Sequence, residues 1–290
     1  MKVLVTGGLG FVGSNLVDRL CEEGHQVTVI DNLCSESSSR QYMRDDVEYW
    51  IDDIRNLMNA KYANLKFDVV YHLAALARIQ PSFKDPLTYL SIDIQGTATV
   101  CEFARHSSSR LVYAGSSSAY AGHFLNPYAF AKYTGEQVCQ LYHEVYGMST
   151  VAARFFNVYG DRQPTKGTYA TVVGIFEGLT KLGKPLTITS DGEQRRDFTH
   201  IDDIVSGFLA LGEKDWSQND TTWIFNIGTG KNYSINELAE MFGGEIEYIP
   251  ARPGEARNTL ADSTLLTEYT GWNPKGSLQK YVSDFLENCK

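Results

Sequence analysis

The sequence predicts an α/β protein: a doubly wound parallel sheet with a smaller α/β lobe toward the C-terminus. Three observations carry this reading. Short β-rich runs alternate with helical patterns through the first half of the chain. Several of the runs are apolar without interruption, as strands of a parallel sheet covered on both faces must be. A glycine-rich turn joins the first run to the first helical segment. Hydrophobic residues make up 43% of the 290, enough to bury one large core or two adjoining ones.

In chain order, the β-rich runs lie at 3–6, 26–30, 47–51, 69–72, 110–114 and 150–154. Helical spacing fits between them at 11–23, 54–63, 85–106 and 127–146. Such alternation implies right-handed βαβ units. Beyond about residue 157 the loops lengthen, β segments fall at 186–189, 223–227 and 246–249, and helices are expected at 168–182, 234–241 and 278–287. We therefore expect a dinucleotide-binding domain over 1–160. A substrate-binding lobe over 161–290 should interleave with the sheet, with no linker between. The serine-rich stretch 35–39 reads as a polar loop.

Charge and cysteine usage narrow the function classes. A net charge of −9 argues against a nucleic-acid or anionic-membrane surface. No run approaches the roughly 20 apolar residues of a membrane span. Five cysteines without a CxxC pair point away from a disulfide scaffold or zinc cluster, so no metal is expected. The opening Met1-Lys2-Val3-Leu4-Val5 enters a strand directly instead of a secretory apolar region. The expectation is a soluble cytoplasmic enzyme.

Thr6-Gly7-Gly8-Leu9-Gly10-Phe11-Val12-Gly13 sits between the first strand and the first helix, the context of a Rossmann dinucleotide site. Its glycines let the backbone turn tightly and approach a pyrophosphate, while the helix N-terminus offers free N–H groups. The second strand ends in Asp31-Asn32, 18 residues after Gly13. A carboxylate there accepts from an adenosine ribose and repels the extra phosphate of NADP, so NAD is the expected cofactor.

Pro127-Tyr128-Ala129-Phe130-Ala131-Lys132 opens a helix with Tyr and Lys on one face. Lowering a phenol from ~10 to near 7 takes ~4 kcal/mol. A cation ~4 Å away contributes about that at an effective dielectric near 20, so Tyr128 can serve as a base if Lys132 lies beside it.

With Gly7-x-x-Gly10-x-x-Gly13, His72-Leu73-Ala74-Ala75, Ser116-Ser117-Ser118, Tyr128-x-x-x-Lys132 and Arg154-Phe155-Phe156-Asn157 in order, the chain resembles the extended short-chain dehydrogenases/reductases. More narrowly, it is similar to the NAD-dependent nucleotide-sugar epimerases and dehydratases, of the UDP-hexose 4-epimerase kind. Gly192-Glu193-Gln194-Arg195-Arg196-Asp197-Phe198 and Arg252-Pro253-Gly254-Glu255 continue the resemblance downstream. It implies Tyr128 as base, Lys132 as its partner and ribose anchor, and hydroxyl chemistry from the triplet Ser116, Ser117 and Ser118. Asp53 and Ile54 would hold the adenine, and Leu73, Ala74, Ala75 and Phe155 would line the cofactor. Asn157, Arg196, Arg252 and Glu255 would hold the nucleoside diphosphate, and Thr259 would lie beside the C2 substituent of the sugar.

The chain departs from the family pattern in three places. Asp93 stands where Asn is usual, adding negative charge near the cofactor; Ala121 replaces a Gly; and only 12 residues separate Ser116 from Tyr128, so the usual intervening loop is nearly absent. Its loss implies an open or enlarged site. Ser117 and Ser118 occupy positions where sugar dehydratases carry an Asp-Glu pair, and neither hydroxyl titrates usefully for elimination. The expected reaction is therefore C4 epimerisation of a nucleotide-diphosphate hexose, UDP-glucose/galactose or the N-acetylhexosamine pair, through a transient 4-keto sugar. A 4-ketoreductase, a 4,6-dehydratase-like enzyme and a non-catalytic NAD(H) sensor remain alternatives. The resemblance also implies a homodimer paired through the helices at 85–106 and 127–146.

Overall fold

The computed structural model describes residues 1–35, 38–218 and 223–289; part of the serine-rich stretch lies outside them. The strands are β1 (Lys2–Thr6), β2 (Gln26–Ile30), β3 (Glu48–Trp50), β4 (Val69–His72), β5 (Arg110–Ser116), β6 (Thr150–Phe155), β7 (Val158–Tyr159), β8 (Leu186–Thr189), β9 (Arg195–Asp197), β10 (Thr199–His200), β11 (Ile224–Ile227), β12 (Asn232–Ser234) and β13 (Ile246–Ile249). The helices are α1 (Phe11–Glu22), α2 (Ile79–Lys84), α3 (Pro86–Tyr89), α4 (Gly96–Ser107), α5 (Ser118–Ala121), α6 (Pro127–Tyr146), α7 (Val172–Lys181), α8 (Ile201–Gly212), α9 (Ile235–Phe242), α10 (Thr264–Thr270) and α11 (Leu278–Asn288).

Seven strands form one sheet in the order β11-β6-β5-β4-β1-β2-β3, and every neighbouring pair is parallel. The chain winds outward from β1 through β2 and β3, then restarts on the other side of β1 with β4. That reversal leaves a crevice at the carboxyl ends of β1 and β4, where such sheets bind their ligands. One face packs Leu16, Val17 and Leu20 of α1 with Ile204, Val205 and Phe208 of α8. The other packs Val100, Phe103 and Ala104 of α4 and Cys139 of α6 against Leu4, Val70 and Leu111. Val3, Leu4 and Val5 are fully buried between the two, each contributing about 1.5–3 kcal/mol of transfer free energy. A separate apolar cluster, including Phe176, Ile188, Leu238, Phe242 and Val282, forms the core of the smaller C-terminal layer. From the second half of the chain, α8 and β11 return to the large sheet.

Four local expectations are corrected. Residues 54–63 do not form a helix: Asp53 caps a single 3₁₀ turn, Ile54–Asn56, and turns follow in which Tyr62 N–H bonds Asn59 O and Leu65 N–H bonds Tyr62 O. Those turns send Leu57 and Tyr62 into the core, which outweighs helical periodicity in so short a segment. The helix expected at 85–106 is interrupted by a π-helical stretch, Leu90–Gln95, that places Asp93 in the interior. The helix expected from 168 begins only at Val172, leaving 167–171 as a loop. Helix α8 has no counterpart among the expected elements. Its run from Ile204 to Leu211 is nearly all apolar and lies buried under the sheet, so it lacks the polar stripe by which a surface helix shows its period.

Candidate active site

A cavity of ≈ 770 Å³ opens at the carboxyl ends of the central strands, and every site residue named from the sequence lines it. At one end the backbone itself is the binding surface. Gly7 has φ +72°, and a Cβ there would lie 2.7 Å from Ala74 N; one on Gly13 would meet Gly7 O at 2.1 Å. Only glycine permits this approach of turn, helix and β4. Helix α1 starts at Phe11 and Val12 after Gly10 with no side-chain cap, so its first-turn N–H groups stay available to an anion. Thr6 Oγ1 bonds His72 Nδ1 at 2.7 Å and accepts from Ala74 N at 3.1 Å, and His72 Nε2 bonds Thr97 Oγ1 at 3.0 Å. Burial pushes His72 down to about 3, so this neutral imidazole is a structural strut holding β4 and α4 to β1.

Asp31 is buried, its two oxygens accepting from Leu9 N at 3.0 Å and Leu33 N at 2.8 Å. Burial raises its pKa while those N–H groups oppose the rise. Asn32 donates to Asp53 at 3.3 Å, and the Arg55 guanidinium holds the Asp53 carboxyl below its ordinary value. Ile54, Leu73, Ala74, Ala75 and Phe155 complete the apolar wall of this end.

Helix α6 brings Tyr128 and Lys132 to the centre. Asn126 caps it by accepting from Ala129 N at 2.7 Å, with Pro127 in the first turn, so the shortened preceding loop does not prevent a sound start. Four residues beyond Lys132, the fully buried Glu136 takes a two-pronged ion pair from Arg154 of β6, at 2.8 and 2.7 Å. That pair clamps the Lys132 face of α6 to the sheet. Ser116, at the end of β5, shares the cavity wall with Tyr128, its hydroxyl favouring ionisation of the phenol, and accepts from Ser118 N at 3.2 Å; Ser117 lines the same wall.

The arrangement of charge differs from expectation. Lys132 Nζ donates to Ala114 O at 2.8 Å and lies over the Tyr113 ring at 5.0 Å. Burial lowers the Lys132 pKa, with Asp93 and Glu136 opposing. Burial also raises the Tyr128 phenol; the Ser116 hydrogen bond and the Arg78 guanidinium oppose this, while Asp93 reinforces it. The cation that eases ionisation of the phenol is Arg78, while Lys132 gives a donor to the strand-end carbonyl of Ala114.

At the far end, Arg196 donates to Arg195 O at 2.9 Å beside Glu255, and Arg252 stands exposed at the rim. Asn157 Nδ2 donates to Asp197 O at 3.1 Å and reaches the buried Thr259 Oγ1 at 3.5 Å. Arg195, by contrast, pairs with Glu237 at 2.9 Å and is structural. Sequence reasoning missed Arg78 and the loop carrying Tyr169, both of which line the cavity. A lone cation after the small-residue run Ala74-Ala75-Leu76-Ala77 was the available signal for the first; the second lies in a stretch whose spacing predicts helix.

Residues 3–228 match the model of the NAD dependent epimerase/dehydratase family. The chain belongs to that family. The UDP-glucose 4-epimerase of Mycolicibacterium smegmatis is 32% identical, over 99% of this chain and 98% of the relative. The structure of UDP-glucose 4-epimerase with UDP-glucose from Thermotoga maritima superposes with a TM-score of 0.89 at 30% identity, covering 100% of both chains. The UDP-N-acetylglucosamine 4-epimerase of Methanobrevibacter ruminantium, in complex with UDP-N-acetylmuramic acid, gives 0.86 at 30%, over 99% of this chain and 98% of that one.

Family membership makes the protein NAD-dependent, and the glycine cradle, the uncapped α1 N-terminus and the buried Asp31 fit that cofactor. Among the described residues no group of side chains is suited to a metal ion, and no helix is long and apolar enough to cross a membrane. With a buried carboxylate, Asp31, at the end of β2 on the cavity wall, NADP is expected to bind at least about 100-fold more weakly than NAD, as ~2–3 kcal/mol is the scale of an unpaired charge contact. Equal dissociation constants in a calorimetric titration would refute this role of Asp31.

Asp93 retains one contact, Oδ1 accepting from Leu76 N at 2.8 Å, while Oδ2 is buried without a partner. Burial drives its carboxyl up to about 7 against the pull of Lys132, so the negative charge expected near the cofactor is held back below neutrality. Since the folded state binds this proton more tightly than the unfolded chain, stability falls as pH rises from about 4 to about 7. Asp93→Asn should remove that loss, making the variant more stable relative to the parent at pH 8 than at pH 4.5 by on the order of 2–4 kcal/mol. Urea unfolding at the two pH values measures it; an offset independent of pH would contradict the assignment.

Proposed function

We propose that this enzyme interconverts the C4 epimers of a nucleotide-diphosphate hexose, with UDP as the nucleotide. The observation that carries the proposal is the placing of Tyr128, Lys132 and Ser116 together on the wall of one cavity that also takes in Asp31, Arg196 and Arg252. The family relatives described above, UDP-sugar 4-epimerases in name, support it. Bound NAD supplies a hydride acceptor that can return the hydride to either face of the same carbon. Tyr128 takes the C4 hydroxyl proton, Ser116 aligns that hydroxyl, and Lys132 holds the ribose side of the site. Arg196 and Arg252 grip the diphosphate, for which forked donors are suited, while Asn157 and Glu255 border it. Ser117 and Ser118 shape the sugar wall and supply no acid–base pair for elimination.

The test is incubation of the holoenzyme with 4-deuterated UDP-glucose. Appearance of UDP-galactose with deuterium still at C4 supports the reading. A 4-keto-6-deoxy product, or reduction that needs added NADH, would replace it with the dehydratase or ketoreductase alternative. The same reading includes a homodimer through α4 and α6, supported by the exposed Leu141, Val145 and Tyr146 on α6.

Thr259 is small and borders the cavity, leaving room for an acetamido group at C2. Thr259→Tyr should lower kcat/KM for UDP-N-acetylglucosamine at least about tenfold more than for UDP-glucose, the ~1.4 kcal/mol scale of a steric misfit. Equal losses on the two sugars would remove Thr259 from that role.

A further inference from the structure

Behind the cofactor end of the cavity, the buried residues Thr6, His72, Thr97 and Asp93 form one continuous hydrogen-bond chain, and none of them lines the cavity itself. Thr97, in the first turn of α4, donates its hydroxyl proton to the backbone carbonyl of Asp93 at 2.6 Å. A threonine hydroxyl has one proton to give, so Thr97 Oγ1 can only accept from His72 Nε2, 3.0 Å away. The neutral imidazole therefore carries its proton on Nε2, and its Nδ1 is an acceptor. That acceptor takes the Thr6 hydroxyl proton at 2.7 Å, and Thr6 Oγ1 in turn receives the Ala74 N–H at 3.1 Å. Every proton is thereby assigned, and the chain runs one way, from Ala74 to Asp93.

The chain also closes on itself. Asp93 accepts the Leu76 N–H on Oδ1 at 2.8 Å, so two alternate N–H groups of the segment 74–76 are held from behind. Asp93 can serve both contacts because it lies in the π-helical stretch Leu90–Gln95, a departure from α geometry that recurs at functional sites. The front of the same segment meets the cofactor end. Ala74 and Ala75 line the cavity with Gly7, and a Cβ on Gly7, the residue after Thr6, would lie 2.7 Å from Ala74 N. Any shift of 74–76 is therefore a shift of the wall against which the glycine turn packs. We infer that Thr6, His72, Thr97 and Asp93 are positioning residues for NAD: their one-way chain fixes 74–76 against the Gly7 turn, and cofactor affinity depends on it although no member reaches the cavity. The inference concerns cofactor binding, which family membership establishes, and it is independent of the sugar reaction proposed above. A buried network satisfied at every member specifies one arrangement, whereas breaking one link strands a buried donor.

Two measurements on the whole chain test it. The first is nitrogen NMR of the NAD-loaded protein with isotopically labelled histidine, the His72 signals being assigned by their displacement in Thr97→Ser. A proton on Nε2 and a bare Nδ1 are expected. A proton on Nδ1, alone or together with one on Nε2, overturns the chain without appeal to any variant that loses a contact. The second is equilibrium dialysis against labelled NAD. Thr97→Val nearly keeps the side-chain shape and removes both hydrogen bonds, leaving the His72 N–H stranded. It should weaken NAD binding about tenfold or more, the scale of one stranded buried donor, in protein that circular dichroism shows to be folded. Thr6→Val cuts the chain at its other end and should have a similar effect, which keeps the test open if one of the two does not fold. Thr97→Ser, which keeps the hydroxyl, and Asp93→Asn, which keeps an acceptor for Leu76, should bind NAD as the parent does. Ser109→Ala is the structural comparison. Its buried hydroxyl donates to Phe67 O at 2.6 Å, at the opposite end of the strands from the glycine turn, so its loss should lower the urea midpoint and leave NAD affinity unchanged. Parental affinity in folded Thr97→Val overturns the inference. Equal weakening in Thr97→Val and Ser109→Ala overturns it too, since general loosening would then account for both.

Discussion

Tyr128→Phe is expected to lower turnover about 10³-fold or more, the range for a positioned proton-transfer group, while the protein folds and retains NAD. The substitution removes one hydroxyl from the cavity wall, at about 1 kcal/mol or less, and leaves the ring in its packing. The pH profile adds a second readout. Burial raises the Tyr128 phenol above its ordinary value in the free protein, and only the deprotonated form accepts the substrate proton. The parent rate should therefore climb with pH until that group has titrated, and the cationic nicotinamide of bound NAD moves the climb to lower pH. The residual rate of the variant should lack this acid limb. Stopped assays of epimer formation between pH 5 and 9 test both statements. Near-parental turnover in the variant, or an unchanged acid limb, would mean that another group is the base.

Asp197→Ala is expected to destabilise the fold by about 3–5 kcal/mol, with a lower urea midpoint and little change in slope. Asp197 is fully buried. Its Oδ1 accepts from Thr229 N at 3.0 Å and Thr229 Oγ1 at 2.7 Å, and its Oδ2 accepts from Gly230 N at 2.9 Å and Ala261 N at 3.1 Å. Removing the carboxylate strands the buried Ala261 N–H and leaves the part-buried Thr229 and Gly230 N–H groups without their partner, at about 1–3 kcal/mol for a fully buried group. The tie also joins β9, which carries Arg196, to the segment that carries Thr259, so surviving folded protein should show a raised KM. Asp197→Asn keeps one acceptor oxygen and should be less destabilising. A change below about 1 kcal/mol for Asp197→Ala would show that water or relaxation satisfies these groups.

Much of the site was legible because its residues act through local rules. A glycine cradle announces itself by spacing, since a Cβ at Gly7 or Gly13 would collide with backbone whatever the rest of the chain does. Tyr128 and Lys132 share a helix face because the repeat of a helix places i and i+4 together. Arg154, which the sequence shows only as part of a motif, clamps α6 through Glu136. That pairing joins residues 18 apart on different elements and leaves no periodic trace.

By itself, then, the sequence determined the parallel sheet, the glycine turn and the helix that sets Tyr128 and Lys132 on one face, each through backbone sterics or short-range periodicity. Tertiary structure alone decided where the charges act. It turned Lys132 to the Ala114 carbonyl, sent Asp93 inward on a π-helical stretch, and set Arg78 on the backbone carbonyl of Tyr169. The physical reason is that electrostatic partners are chosen by desolvation and three-dimensional proximity, and neither is encoded in spacing along the chain.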